Sequence, residues 1–136
     1  MCLPFEPFKK EREWTHAGLL CVATMAREYG NRCGYVRVPP GHPLHGKDIH
    51  EDAVRSLSVH GDVTFAGIEP CTHDDGTGWW FGFDCAHAGD AHYDPDSPPN
   101  SMFATVAYFE RLWHYWTLPE VEVECEGLAG QLAALR

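Results

Sequence analysis

The sequence predicts an α+β fold: an antiparallel sheet of about four strands, packed by a C-terminal amphipathic helix, with long loops gathered at one end. Three observations carry this. Short β-compatible runs alternate with Gly-, Asn- and Pro-rich turns. The run Trp79-Trp-Phe-Gly-Phe-Asp-Cys85 is dense in aromatics on both faces, as an internal strand requires. From Leu118 onward, apolar residues recur at Val121, Cys125, Leu128, Leu132 and Leu135, the spacing of one helix face.

Along the chain, residues 1–12 read as an irregular arm. Trp14 to Thr24 is apolar and β-compatible, Gly30-Asn31 supplies turn chemistry, and Cys33 to Val38 follows as a second strand, so the two form a β-hairpin. Pro39-Pro-Gly-His-Pro-Leu-His-Gly46 cannot be regular structure, because its three prolines remove donors and its glycines break a helix or ladder. Asp48 to Leu57 reads as a short helical turn with Val54 and Leu57 inward. Asp62 to Glu69 reads as a third strand with Val63 and Phe65 on one face, and Trp79 to Cys85 as the fourth. Residues 88–102 form a long Pro-rich loop, of the kind that often serves as a lid or connector. Tyr108/Phe109, Leu112, Trp113 and Trp116 recur at helical spacing and predict a short helix over 103–116. Thr117, Pro119 and Glu120 then supply a capping box for the last helix.

A length of 136 residues fits a single domain able to bury a substantial core. No apolar run approaches the ~20 residues of a membrane span, and the first ten residues do not form a secretory signal, so a cytoplasmic setting is expected. Residues 1–60 carry a net charge of +1 and residues 61–136 a net of −11, which together give −10. Clustered Lys and Arg are what phosphate backbones need, so direct nucleic-acid binding is not expected. The acidic half favours a cation, a basic protein partner, or solubility alone. Six cysteines without a C-x-x-C pair argue against a zinc ribbon, and Cys21, Cys33 and Cys125 fit core positions.

Candidate chemistry concentrates in Asp84-Cys-Ala-His-Ala-Gly-Asp90, at the end of the aromatic strand. Seven of the nine histidines lie between His42 and His92, and histidine is both a common metal ligand and the acid–base group of neutral pH. His42, His60 and His87 sit beside glycine or proline, while His45, His50, His73 and His92 read as surface residues. Alternation sends Trp79, Phe81, Phe83 and Cys85 to one face and Trp80, Gly82 and Asp84 to the other. A carboxylate on an apolar strand is costly unless partnered. Asp84 therefore either accepts backbone donors in the following turn or pairs with His60 or His87.

A metal set of His60, Asp84, His87 and Asp90 suits zinc, manganese or iron and would activate a water. A metal-free version uses His60 or His87 as general base, oriented by Asp84 or Asp90. Cys85 faces the apolar side and reads as a core thiol rather than a nucleophile. Trp79, Trp80, Trp113 and Trp116 either fill the core or stack a planar ligand, with Trp80, His42 and Asp90 as the candidate ligand contacts. Walker, dinucleotide and nucleophile-elbow motifs are absent.

Cys33-Gly-Tyr-Val-x-Val-Pro-x-Gly-His-Pro-Leu-His-Gly46, His60-Gly-x-Val-Thr-Phe-x-Gly67, Trp79–Asp90 and the closing Val121–Leu132 segment together resemble a family of small uncharacterised bacteriophage and prophage proteins. The resemblance covers most of residues 14–136 and departs from the family over 102–116. It implies a phage-related accessory protein acting in a host cytoplasm, and it puts His42, His60, Asp84, Cys85, His87 and Asp90 at motif positions without assigning roles. Three functions remain open: a metal-assisted hydrolase (zinc or manganese) of a phosphorylated or nucleotide-like molecule, a module sequestering such a small polar ligand without turnover, and an acidic inhibitor of a basic host protein.

Overall fold

The computed structural model describes residues 8–26, 30–68, 76–87, 89–91 and 112–135. It is an α+β fold in which a five-stranded antiparallel sheet is packed by a C-terminal helix. The strands are β1 (Phe8–His16), β2 (Leu19–Ala26), β3 (Arg32–Val38), β4 (Phe65–Gly67) and β5 (Trp79–Asp84). Their spatial order is β1-β2-β3-β5-β4. The helices are α1 (Asp52–Arg55) and α2 (Leu118–Ala133).

The expected irregular arm is corrected for its described part, Phe8 to Arg12, which belongs to β1. Its charged residues are those of an edge strand, where polar side chains discourage pairing with another chain. The register shifts between Lys10 and Arg12, a bulge that frees Glu11 to reach Arg32. The run from Trp14 to Thr24 is likewise two strands rather than one. Ala17 and Gly18 both take positive φ (53° and 80°), so a two-residue turn joins β1 to β2, with His16 opposite Leu19. Alanine is an unusual residue there, which hides the turn in the sequence.

The hairpin across Gly30-Asn31 forms as expected, with β2 and β3 antiparallel from Cys21↔Val36 to Met25↔Arg32. β5 lies between β3 and β4. The expected strand 62–69 shrinks to Phe65–Gly67, because Gly61 and Asp62 adopt left-handed φ of 67° that no strand accommodates. Val63 and Phe65 consequently serve opposite faces of the sheet. Of the expected helical turn 48–57 only Asp52–Arg55 is helical, yet Val54 and Leu57 are both buried. Leu112 to Trp116 is not helical: Leu112 and Trp113 are exposed, and His114 makes an isolated bridge to Asp90. The rest of the 103–116 expectation, and all of the 88–102 loop but Gly89-Asp90-Ala91, lie outside the described residues.

One face of the sheet carries the main core. Cys21, Ala23, Val36, Val38, Phe81 and Phe83 meet the helix stripe Val121, Cys125, Leu128 and Leu132, the helix residues in that list all being fully buried. At roughly 25 cal/mol per Å2 of apolar surface, each buried leucine of this stripe contributes about 2 kcal/mol. Gly34 lets α2 approach, because a Cβ there would sit 2.5 Å from the Cys125 sulfur and the Phe83 ring. The opposite face holds a smaller cluster of Val22, Cys33, Tyr35 and Trp80, with Leu20 and Phe65 against it. At the start of α2 the Thr117 N–H donates to Glu120 Oε1 at 3.0 Å, as in a capping box, and the Thr117 hydroxyl donates to the same oxygen at 3.0 Å. No described helix is long and apolar enough to cross a membrane.

Candidate metal and ligand site

Three loops converge beside the start of α2. His60 follows α1 at the tight turn His60-Gly61-Asp62, where its backbone N–H donates to Glu124 Oε1 of α2 at 2.7 Å. His87 and Asp90 come from the turn after β5, closed by Asp90 N–H donating to the His87 carbonyl at 2.9 Å. The segment 112–116 docks on that turn through Ala91 N–H to the His114 carbonyl and His114 N–H to the Gly89 carbonyl, at 2.8 and 2.9 Å.

Asp90 is the centre of the site and only 4% exposed. His60 Nε2–H donates to Oδ2 and Oδ1 at 2.9 and 3.1 Å. The His87 backbone N–H reaches Oδ2 at 3.0 Å, with the His87 Nδ1 at 3.3 Å from the same oxygen. The Trp116 indole donates to Oδ1 at 3.0 Å. Burial alone would raise the Asp90 pKa, but the donors from His60, His87 and Trp116 outweigh it and hold the carboxyl below its ordinary value. It is therefore an ionised carboxylate with both oxygens bonded within the chain.

His60, His87 and Asp90 form a group able to hold a metal ion, each offering one ligand atom and all three atoms lying within 4.8 Å of one another. Two ligands ~2.0–2.1 Å from a tetrahedral zinc stand about 3.3 Å apart. The separations from Asp90 Oδ2 of 2.9 Å to His60 and 3.3 Å to His87 lie close to that. Asp84 stands outside this trio. Its Oδ1 accepts the Ala86 N–H at 3.1 Å and lies 3.5 Å from His87 Nε2, while Oδ2 accepts the Thr64 hydroxyl at 3.1 Å. Both expectations for Asp84 thus hold at once, the backbone turn and the histidine pairing. A carboxylate on the far nitrogen of a ligating histidine fixes its ring and raises its basicity.

The rest of the predicted set separates from this centre. His42 is buried; its Nε2–H donates to the Leu132 carbonyl at 2.7 Å and its Nδ1 accepts the Leu44 N–H at 3.0 Å. It closes the last turn of α2, apart from the trio. Trp80 is fully enclosed in the second cluster, so its ring has no face open to a ligand. The Cys85 thiol is 2% exposed and burial drives its pKa far up, which leaves it a protonated core group.

Trp116, His114, Glu120 and Glu124 belong to the site without having been placed there by sequence reasoning. Trp116 was a candidate to stack a ligand; it stacks on His60 instead, with centroids 4.1 Å apart. His114 packs edge-on to Trp116 and hydrogen-bonds Glu120 Oε2 through Nε2 at 2.6 Å. The available signal was proximity to the helix start, since Trp116 directly precedes the capping Thr117.

Beyond His87 the site opens into a cavity of about 640 Å3 on the sheet face away from α2, lined by Tyr35, Phe65, Asn31, Thr64, Asp84 and His87 among others. The glutamates of α2 turn to this chain's own groups. Glu122 pairs with Arg12, Glu126 accepts the Trp14 indole, and Glu124 holds His60. No protein-family model, curated protein or solved structure matches the chain.

Proposed function

We propose that the protein binds a divalent cation, zinc or manganese, through His60, His87 and Asp90, and hydrolyses a small phosphorylated or nucleotide-like molecule there. The observation that carries this reading is the meeting of His60, from the loop after α1, with His87 and Asp90, from the turn after β5, so that three ligand atoms gather at one buried carboxylate. A divalent ion so held lowers the pKa of a water it binds to about 7, which supplies a nucleophile at neutral pH. Trp116 packs on the His60 ring and Glu124 accepts its backbone N–H, and a metal would take the place of the Nε2 proton that His60 now shares with Asp90. Asp84 orients His87 from its far nitrogen and also lines the adjoining cavity, where the body of a ligand fits. A phage accessory protein working in a host cytoplasm, as the motif resemblance implies, has use for such an activity against a nucleotide signal.

Elemental analysis of protein purified without a histidine tag tests the metal. Less than one equivalent, with no thermal shift on adding zinc or manganese, would sink it. A generic phosphoester assayed with and without metal then tests hydrolysis.

Sequestration without turnover is the second reading, favoured by one observation. Asp90 already has every oxygen bonded within the chain, which suits a rigid binding site as well as a catalytic one. A captured ligand that is released unchanged after long incubation distinguishes it. Docking on a basic host protein has less support, because Glu122, Glu124 and Glu126 each bond to a group of this chain.

A further inference from the structure

The cavity beside His87 has a chemistry of its own. Its floor is aromatic: Tyr35 and Phe65 meet edge to face, with centroids 5.8 Å apart at 86°. Tyr35 lies against β5 because Gly82 has no side chain; a Cβ there would stand 2.5 Å from the Tyr35 ring. At 33% side-chain exposure, Asp84 is the anionic group of the lining. Asn31 and Thr64 add neutral polar groups, and none of the described lining residues is a lysine or arginine. A volume of about 640 Å3 suits one or two fused rings with substituents.

A phosphate placed here would meet the Asp84 carboxylate, which electrostatics penalises. A planar ring carrying an N–H donor meets the reverse: apolar faces against Tyr35 and Phe65, and an acceptor at Asp84. We infer that this cavity binds a planar aminated ring, neutral or cationic, such as an aminopurine or an aryl amidine, with its N–H group on the Asp84 carboxylate. This deepens the functional reading above, because His87 borders both the cavity and the metal trio. Ring in the cavity and reacting end at His60, His87 and Asp90 follow as one arrangement. Only the second half of that arrangement rests on the metal.

The test uses the full chain stripped with EDTA, so the outcome does not depend on the metal, whose binding is titrated separately. Benzamidine and adenosine are the probes, followed by calorimetry or by amide shifts in two-dimensional NMR. Both are expected to bind with Kd of about 1 mM or tighter, and inorganic phosphate neither binds nor competes. Asp84→Asn is expected to weaken benzamidine about tenfold or more, the loss of a charge-assisted hydrogen bond. Ala86→Trp, at an exposed position in the lining, fills the mouth while leaving the Asp84 carboxylate in the chain and is expected to abolish both. The inference is overturned if neither ring binds, if phosphate competes, or if Asp84→Asn binds benzamidine as the native chain does. Ring binding without metal binding would overturn the hydrolase reading and leave the cavity's assignment standing.

Discussion

Trp116 covers the His60 imidazole at 4.1 Å and 33°, and the same indole donates to Asp90 Oδ1 at 3.0 Å. One side chain thus fixes two of the three candidate ligands. Trp116→Phe keeps the ring but removes the donor, leaving a buried carboxylate oxygen short of a partner. We expect metal affinity to fall about 10- to 100-fold, the usual cost of losing an outer partner, and stability to fall by roughly 1–3 kcal/mol. Zinc competition titration and urea unfolding read the two effects. Unchanged affinity would show that the indole is only packing.

Gly61 is the space in which His87 lies. A Cβ at Gly61 would fall 2.1 Å from His87 Cε1, and the backbone there has φ of +67°. Gly61→Ala therefore adds left-handed strain of about 1 kcal/mol or more and displaces the imidazole as well. The expected outcome is a lowered melting temperature together with loss of tight zinc binding. A variant melting lower but binding zinc normally would mean that His87 is not a ligand.

Arg32 ties the edge of the sheet to this site. Its guanidinium takes Glu11 at 2.7 Å, Tyr115 Oη at 3.0 Å and the Trp116 carbonyl at 2.8 Å. Burial alone would lower its pKa, but Glu11 and Tyr115 outweigh it and raise the value. Lysine cannot reach three acceptors from one planar fork. Arg32→Lys is thus expected to cost roughly 3 kcal/mol, as for breaking a largely buried pair, and to weaken metal binding by loosening Trp116. Equal urea midpoints for variant and native protein would contradict this.

How far the site could be read from the chain depends on which contacts are local. His87 and Asp90 are three residues apart in a turn, and alternation along Trp79–Asp84 correctly sent Cys85 inward and Asp84 outward. His60 was identifiable by its Gly61 neighbour. The stripe from Leu118 to Leu132 likewise announces its own helix, since its period is a local property. Trp116, Glu124 and Arg32 were not legible, because each acts across 26 to 84 residues of sequence. Their positions follow from strand order and from where α2 begins, which no periodicity encodes. The place of His42 was hidden for a related reason: only the docked end of α2 gives the imidazole its carbonyl, Leu132 O.

The four buried thiols among the described residues set an alkaline limit on the fold. Cys21, Cys33, Cys85 and Cys125 are free and buried. Burial, with Glu126 adding for Cys21 and Asp84 for Cys33, pushes the first two up to about 12 and the other two higher. In the unfolded chain a thiol titrates near ~8.5. Between these values the unfolded state has released protons that the native state still holds, so stability falls as pH rises. It is fully present below ~8.5 and lost progressively toward the native values. Each thiol contributes about 1.4 kcal/mol per pH unit in that window, and four together about 5, enough to exhaust a domain of ordinary stability within one to three units. Circular dichroism under reducing conditions is expected to show cooperative unfolding near pH 10 to 11. Cys33→Ala, though less stable at neutral pH through lost packing, should lose stability more shallowly by one thiol's share. A native chain whose urea midpoint is level from pH 8 to 10 would show that these thiols are not held protonated by the fold.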